Sequence, residues 1–249
     1  MNRPALKNAM NFAMCQEMAA IFSALRTDSS TRVLVIKGAG TDFSSGGDLK
    51  DIAGLLLPDR KERGAAAAKS AREVTSPLFL ALQALPQPVI ASVRGHAVGA
   101  GIQIVLAADL VIASDTAKLI LPQVKLGHNI DHGESWYLPR KIGLTRSLEL
   151  LLMGDAVGAQ DAERYGLVNW VVSDDALESR TAEIAARLAS SATVAIAQIK
   201  QLLRQSWDNT LEQQLAAEAQ ALSVSAATHD FVEAIGAFTA KRKPVFHGR

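Results

Sequence analysis

The chain has 249 residues, of which 49% are hydrophobic and 20% are charged, and its formal net charge is +1. This balance suits one large α/β domain, alone or with a helical appendage, and excludes a basic footprint for nucleic acid or an anionic membrane surface. The only cysteine is Cys15, so a disulfide framework is also excluded. No apolar run is long enough to span a bilayer, and residues 1–10 hold no apolar signal core, so we expect a cytoplasmic protein.

The first third of the chain predicts a helix, a strand and a second helix. Apolar residues at helical spacing mark residues 11–25, and the β-branched run RVLVIK marks a buried strand at 32–37. The charged segment 51–64 contains Pro58, and we predict a mobile surface loop there. Residues 65–85 are rich in alanine and predict a helix that ends before two prolines.

The middle of the chain alternates strands with helices. We predict strands at residues 89–93, 110–113 and 118–121, with a helix of small residues at 99–108. Strand, crossover helix and strand in this order favour a mostly parallel sheet with right-handed crossovers. The fold class is therefore α/β.

The second half is mainly helical. We predict helices at residues 132–138, at 145–153 with Thr145 as the cap, and at 159–165, followed by a short strand at 168–172. Three or four further helices at 175–241 carry apolar stripes that suit packing against the main domain or another subunit. We divide the chain into an α/β core, residues 1–190, and a C-terminal helical region, residues 191–249.

Two glycine-rich turns stand out. FSSGGDL, residues 43–49, places glycines where backbone N–H groups can face a ligand, although Asp48 could simply cap a following helical turn. RGHAVGAGIQ, residues 94–103, takes a strand into a helix whose free N–H groups suit a carbonyl oxygen or oxyanion. Close packing of helix on strand is the alternative. Its glycines do not form G-x-G-x-x-G, so a dinucleotide site is not expected.

The stretch KLILPQVKLGHNIDHGESWYLPR, residues 118–140, holds two carboxylates, Asp131 and Glu134, beside His128 and His132. D-x-x-E is also the pattern of a helix cap with its capping box, and the residues alone favour that structural role. The histidines lack the spacing of a helical metal motif, so we predict no metal site.

Seven segments in order resemble the crotonase superfamily, that is, enoyl-CoA hydratases and isomerases. They are NRP, FSSGGDL, RGHAVGAG, LPQVKLG, YLPRKIG, AERYGLVNWVV and KRKPVFHGR, and they cover nearly the whole chain. The resemblance implies a spiral of ββα units with a C-terminal helical region that trimerises, often as a dimer of trimers. It implies an acyl-CoA thioester as substrate, with coenzyme A part of that substrate and no separate cofactor. Family members usually extend before NRP, so we expect a first strand or hairpin to be missing here.

By the same resemblance, the N–H groups of Ser45 and Ala100 form an oxyanion hole for the thioester carbonyl. Each such donor is worth about 3 kcal/mol when a proton next to the thioester is removed and an enolate forms. The coenzyme A is expected near Ala5, Leu6 and Lys7, with its adenine near Ser45 and Asp48. Its phosphates are expected near Lys241, from the same or a neighbouring subunit. The other predicted substrate contacts are Gly46, Leu49, His96, Gln103 and Gln123.

The predicted chemistry depends on two positions where hydratases of this family carry glutamate. Here they are Gln103 and Gln123, and an amide cannot exchange a proton near neutral pH, so hydration by two glutamates is not expected. Asp131 falls where dienoyl-CoA and ring-epoxide isomerases carry a working aspartate and where chlorobenzoyl-CoA dehalogenases carry a nucleophile. We therefore predict an acyl-CoA isomerase with Asp131 as its acid/base and Glu134 as second candidate.

Two alternatives stay open: a hydrolase, dehalogenase or decarboxylase on the same scaffold, and a catalytically silent acyl-CoA-binding subunit. We expect the acyl pocket to be shaped by residues 51–69 and the late helices.

Overall fold

The computed structural model describes residues 1–248. It contains seven strands and eleven α-helices within that range. The strands are β1 (Leu34–Lys37), β2 (Val89–Val93), β3 (His96–Val98), β4 (Leu110–Ser114), β5 (Lys118–Ile120), β6 (Ala156–Gly158) and β7 (Trp170–Val172). The helices are α1 (Phe12–Leu25), α2 (Leu49–Gly54), α3 (Arg60–Ser70), α4 (Ser76–Gln83), α5 (Ala100–Ala107), α6 (Glu134–Met153), α7 (Ala159–Tyr165), α8 (Leu177–Ala189), α9 (Thr193–Gln205), α10 (Leu211–Ala226) and α11 (His229–Thr239). No helix in these 248 residues is both long and apolar enough to cross a membrane.

The larger sheet is parallel throughout, which confirms the predicted α/β class. Its strand order is β1-β2-β4-β7, and Ala91 of β2 lies opposite Ile36 on one side and Val111 on the other. All five residues of β2 are buried. A continuous apolar run without alternation is typical of a strand covered on both faces.

The smaller sheet has the order β3-β5-β6, with β5 and β6 antiparallel. Neither β3 nor β6 was predicted. Each has only three residues, and β3 lies inside the glycine-rich turn, so neither produces a readable pattern.

The charged segment 51–64 is mostly helical, and the predicted surface loop is wrong. Asp48 caps α2 by accepting a hydrogen bond from the N–H of Lys50, and Asp59 caps α3 by accepting from Lys61 and Glu62. Pro58 lies just before the second cap, where a proline does not disrupt a helix.

Helix α6 covers both helices predicted between residues 132 and 153. The break between them lies at Gly143, which has φ +75° and is two residues before the predicted cap at Thr145. Because a positive φ suits glycine, the helix changes direction there without strain.

Helix α9 attaches to the core through an ion pair whose lysine is buried. The Lys200 ammonium lies 2.5 Å from the carboxylate of Asp109 and donates to the carbonyl oxygen of Gln87. Beyond this contact, α10 and α11 leave large apolar side chains exposed, among them Leu211, Leu215 and Phe238.

Candidate active site

The two glycine-rich turns lie directly against each other. Backbone N–H groups of Phe43 and Ser44 donate to the carbonyls of Arg94 and His96 at 2.8 and 2.9 Å, and Val98 donates back to Ser44 at 2.9 Å. A Cβ on Gly101 would lie 2.6 Å from Cβ of Ser44, so glycine permits this contact.

Ala100 presents a free backbone N–H at this junction. It is the first residue of α5, after Gly99 with φ +49°. The first N–H groups of a helix have no intrahelical partner, and within residues 1–248 that of Ala100 has no other acceptor. It is therefore available to a carbonyl oxygen.

The N–H of Ser45 is already engaged, because it donates to the carbonyl oxygen of Lys7 at 2.8 Å. Lys7 and Asn8 have positive φ values of 48° and 56°. For Ser45 to serve a thioester, the carbonyl of Lys7 must share this donor or move aside. The predicted oxyanion role of Ser45 stays a prediction.

The N-terminal turn covers the first glycine-rich turn. Ala5 and Leu6 belong to the short 3₁₀ helix Pro4–Leu6, and the Ser45 hydroxyl donates to the carbonyl of Leu6 at 3.2 Å. Arg3 forms an ion pair with Asp48 at 2.8 Å. The hydrogen bond from the backbone of Lys50 and then that from Arg3 lower the pKa of Asp48. The fold thus brings together the residues expected to contact coenzyme A at these two turns.

The remaining predicted contacts lie at different depths. Gly46 is buried against the carbonyl of Val98, whereas the Leu49 side chain is largely exposed. The ring Nδ1 of His96 lies 2.6 Å from Asp42. Burial raises the pKa of Asp42, but the hydrogen bonds from His96 outweigh it and leave that pKa below its usual value. Lys241 is exposed just beyond α11.

Asp131 lines an apolar cavity of about 430 Å³. The cavity is formed by α4 and the start of α6, and its lining residues are Ser76, Phe79, Leu80, Gln83, Asp131, His132, Gly133, Trp136 and Tyr137. Residues 51–69 and the late helices do not contribute to this lining. The expectation that they shape the acyl pocket stays a prediction. The apolar residues of α4 resemble ordinary core positions, and no signal in the sequence distinguishes them.

The alternative role of Asp131 as a helix cap is wrong. The N-cap of α6 is Gly133, and no side chain caps that helix. The Asp131 carboxylate is instead 38% exposed, with the ring Nδ1 of His132 at 3.3 Å. It is therefore free of the backbone hydrogen bonds that would weaken it as a base.

Glu134 is oriented differently from Asp131, since it is fully buried. One carboxylate oxygen accepts from Nε2 of Gln123 at 2.8 Å, and the other accepts from the backbone N–H of His132 at 3.0 Å. As the first residue of α6, Glu134 also benefits from the positive end of the helix dipole. These bonds fix its carboxylate between the Gln123 amide and the backbone of His132.

Tyr137 forms another part of the cavity wall. Its hydroxyl donates to Gln83 at 2.6 Å, and burial raises its pKa to about 12. The phenol therefore stays neutral near pH 7 and is not an acid/base group there. Within residues 1–248 no three His, Cys, Asp or Glu side chains converge as ligands for a metal.

The enoyl-CoA hydratase/isomerase family model matches residues 1–249. The chain belongs to this family. Two Escherichia coli K12 proteins are similar over 249 residues, each with 100% of this chain and 94% of the relative covered: 2,3-dehydroadipyl-CoA hydratase at 35% identity and 1,2-epoxyphenylacetyl-CoA isomerase at 34%. The identities of the hydratase and the isomerase are nearly equal, so they show an acyl-CoA enzyme of this family and no more specific reaction.

Solved structures agree with this assignment. The enoyl-CoA hydratase of Bacillus anthracis superposes with a TM-score of 0.89 at 33% identity, with 99% of this chain and 93% of that chain covered. An enoyl-CoA hydratase/isomerase from Marinobacter aquaeolei gives a TM-score of 0.89 at 30% identity, with 98% and 92% covered. The protein therefore has the crotonase fold, with two sheets and C-terminal helices.

Proposed function

We propose that this family member is an acyl-CoA isomerase in which Asp131 moves a proton between two carbons of the acyl chain. The observation that carries the proposal is the position of Asp131, whose carboxylate lines an apolar cavity and caps no helix. The positions where hydratases carry glutamate are Gln103 and Gln123, whose amides cannot transfer protons near neutral pH.

The proposed mechanism has two proton transfers. Asp131 removes a proton from the carbon activated by the thioester, and the N–H of Ala100 donates to the enolate oxygen. The N–H of Ser45 is the second donor, once the carbonyl of Lys7 moves aside or shares it. Asp131 then returns the proton at the conjugated carbon, and the double bond shifts. One carboxylate is enough if it reaches both carbons.

The test is Asp131→Asn, assayed with 2-enoyl-CoA and 3-enoyl-CoA in deuterated water by NMR. We expect the wild type to exchange and shift the double bond without forming 3-hydroxyacyl-CoA. The variant should lose about 10²–10⁴-fold in exchange rate, the usual contribution of a general base, while it still binds acyl-CoA. Exchange retained within tenfold would remove Asp131 from the mechanism, and rapid hydration would favour a hydratase.

Asp208→Asn is the matched control, because Asp208 is exposed and lies outside the cavity. It makes the same change of charge, and we expect its exchange rate to equal that of the wild type.

We also infer a homotrimer or a dimer of trimers. The support is the large apolar side chains that α10 and α11 leave exposed, including Phe238 at 85%. An exposed apolar surface of this kind is typical of an interface. Light scattering should give the mass of three or six chains, and a monomeric mass would contradict the inference.

A further inference from the structure

Two buried glutamines meet the start of α6 from two sides. A Cβ built on Gly133 would lie 3.3 Å from Nε2 of Gln103, and the next residue, Glu134, accepts from Nε2 of Gln123 at 2.8 Å. Gly133 is part of the cavity lining. The amide of Gln103 therefore lies next to the cavity wall at Gly133, and that of Gln123 lies next to the following residue.

These amides keep three polar atoms without partners. Gln103 is 0% exposed, and neither its Nε2 nor its Oε1 has a hydrogen-bond partner within residues 1–248; the same holds for Oε1 of Gln123, a residue 4% exposed. Buried polar groups in proteins are nearly always hydrogen-bonded. A donor and two acceptors left over at one place indicate a ligand group that both donates and accepts.

Glu134 determines which way Gln123 points. A carboxylate accepts only, so it holds the Nε2 of Gln123 and leaves the Oε1 of that amide as an acceptor. Gln103 supplies a donor as well, which a glutamate at either position would lack. A hydroxyl group matches this set, because it can donate to Gln123 and accept from Gln103.

The position of Gln103 on α5 indicates where on the acyl chain this group lies. Gln103 follows Ala100 by three residues, so the two are neighbours on one helix face, about 5–6 Å apart at Cβ. With the thioester oxygen at the N–H of Ala100, the third or fourth acyl carbon reaches Gln103.

We propose that the acyl group carried by the substrate bears a hydroxyl on C3 or C4, and that Gln103 and Gln123 bind it. The inference rests on the proposed function only in placing the thioester at Ala100. It adds a specificity that a hydrocarbon enoyl-CoA would not satisfy, since such a chain would leave the amides unpaired.

The test compares the dissociation constants of three saturated thioesters by titration calorimetry: butyryl-CoA, 3-hydroxybutyryl-CoA as each enantiomer, and 4-hydroxybutyryl-CoA. None of them has a double bond to shift. We expect the wild type to bind at least one hydroxylated thioester about tenfold or more tightly than butyryl-CoA. Gln103→Leu should abolish that preference, which is a ratio of two affinities measured on the same variant and so does not depend on how the substitution changes the affinity for butyryl-CoA. The Gln103 side chain makes no hydrogen bond within residues 1–248 that leucine would break.

The outcomes separate this inference from the proposed function. Equal affinities in the wild type would overturn it, and they are the result expected if the two amides hold only water. A preference that survives Gln103→Leu would also overturn it. Deuterium exchange without hydroxyl preference would overturn the inference and leave the isomerase standing. A preference for the hydroxyl group without deuterium exchange on the substrate would overturn the isomerase and leave the inference standing. If no thioester bound, both would be overturned.

Discussion

Substitutions of Glu134 test whether this carboxylate is structural while Asp131 is the catalytic base. Its oxygens face two donors, Nε2 of Gln123 and the N–H of His132, at 2.8 and 3.0 Å. Glu134→Leu removes both acceptors within a fully buried space. Glu134→Gln removes the charge but keeps the shape and one acceptor.

The two substitutions should differ in stability for a geometric reason. With leucine, two buried donors lose their acceptors at about 1–3 kcal/mol each, so we expect a loss of about 2–6 kcal/mol in the free energy of unfolding. With Glu134→Gln, the new amide oxygen can accept from His132, while the amide of Gln123 rotates so that its unpartnered Oε1 accepts from the new NH₂. Gln123 then has one unpartnered amide atom as before, its Nε2 in place of its Oε1, so the loss should remain below about 1.5 kcal/mol.

Urea unfolding followed by circular dichroism measures these losses, and deuterium exchange measures the chemistry. Because Asp131 is the proposed base, Glu134→Gln should keep the exchange rate within about tenfold of the wild type, unlike Asp131→Asn. Rotation of Gln123 should also weaken the preference for a hydroxylated acyl group. If Glu134→Gln abolished exchange while Asp131→Asn did not, Glu134 would be the base and the assignment would be refuted. Equal stability losses for the two Glu134 variants would refute the hydrogen-bond argument.

Two other predictions concern the frame around the site. Gly101→Ala places a Cβ 2.6 Å from Ser44, so we expect about 1–3 kcal/mol of destabilisation in urea unfolding and a reduced acyl-CoA affinity. Gly64→Ala in helix α3 is the control, because its Cβ would have nothing within 4 Å, and it should stabilise the protein by about 0.5–1 kcal/mol in the same assay. Hydrogen bonds from the side chain of Arg242 and then the backbone of Val245 lower the pKa of Glu233 from 4.5 to about 2. The stabilisation that this contact gives to the segment after α11 is present above pH 4.5 and is lost as pH falls toward 2. An acid protease should therefore cleave that segment increasingly over this range. Cleavage that does not depend on pH would contradict this prediction.

Local patterns were enough to establish the fold class and the main elements. The apolar runs of β1, β2 and β4 and the helical spacing of apolar residues in α1 depend on neighbours within a few residues, so the sequence shows them directly. The order of seven segments along the chain, the two glycine-rich turns among them, indicated the family, which the full-length matches confirm. Segment 51–64 failed because Pro58 suggested a loop, while the aspartates before and after it cap two helices.

The sequence did not reveal the roles of Asp131 and Glu134, because D-x-x-E is the pattern of a capped helix as well as of a catalytic pair, and the residues alone favoured the cap. Only the tertiary structure decided that Gly133 is the cap, that Asp131 lines a cavity with α4, and that Glu134 faces Gln123. The engagement of Ser45 by Lys7 depends in the same way on chain segments far apart in sequence. The physical reason is that a side chain's chemistry follows from its burial and its partners, and long-range packing determines both.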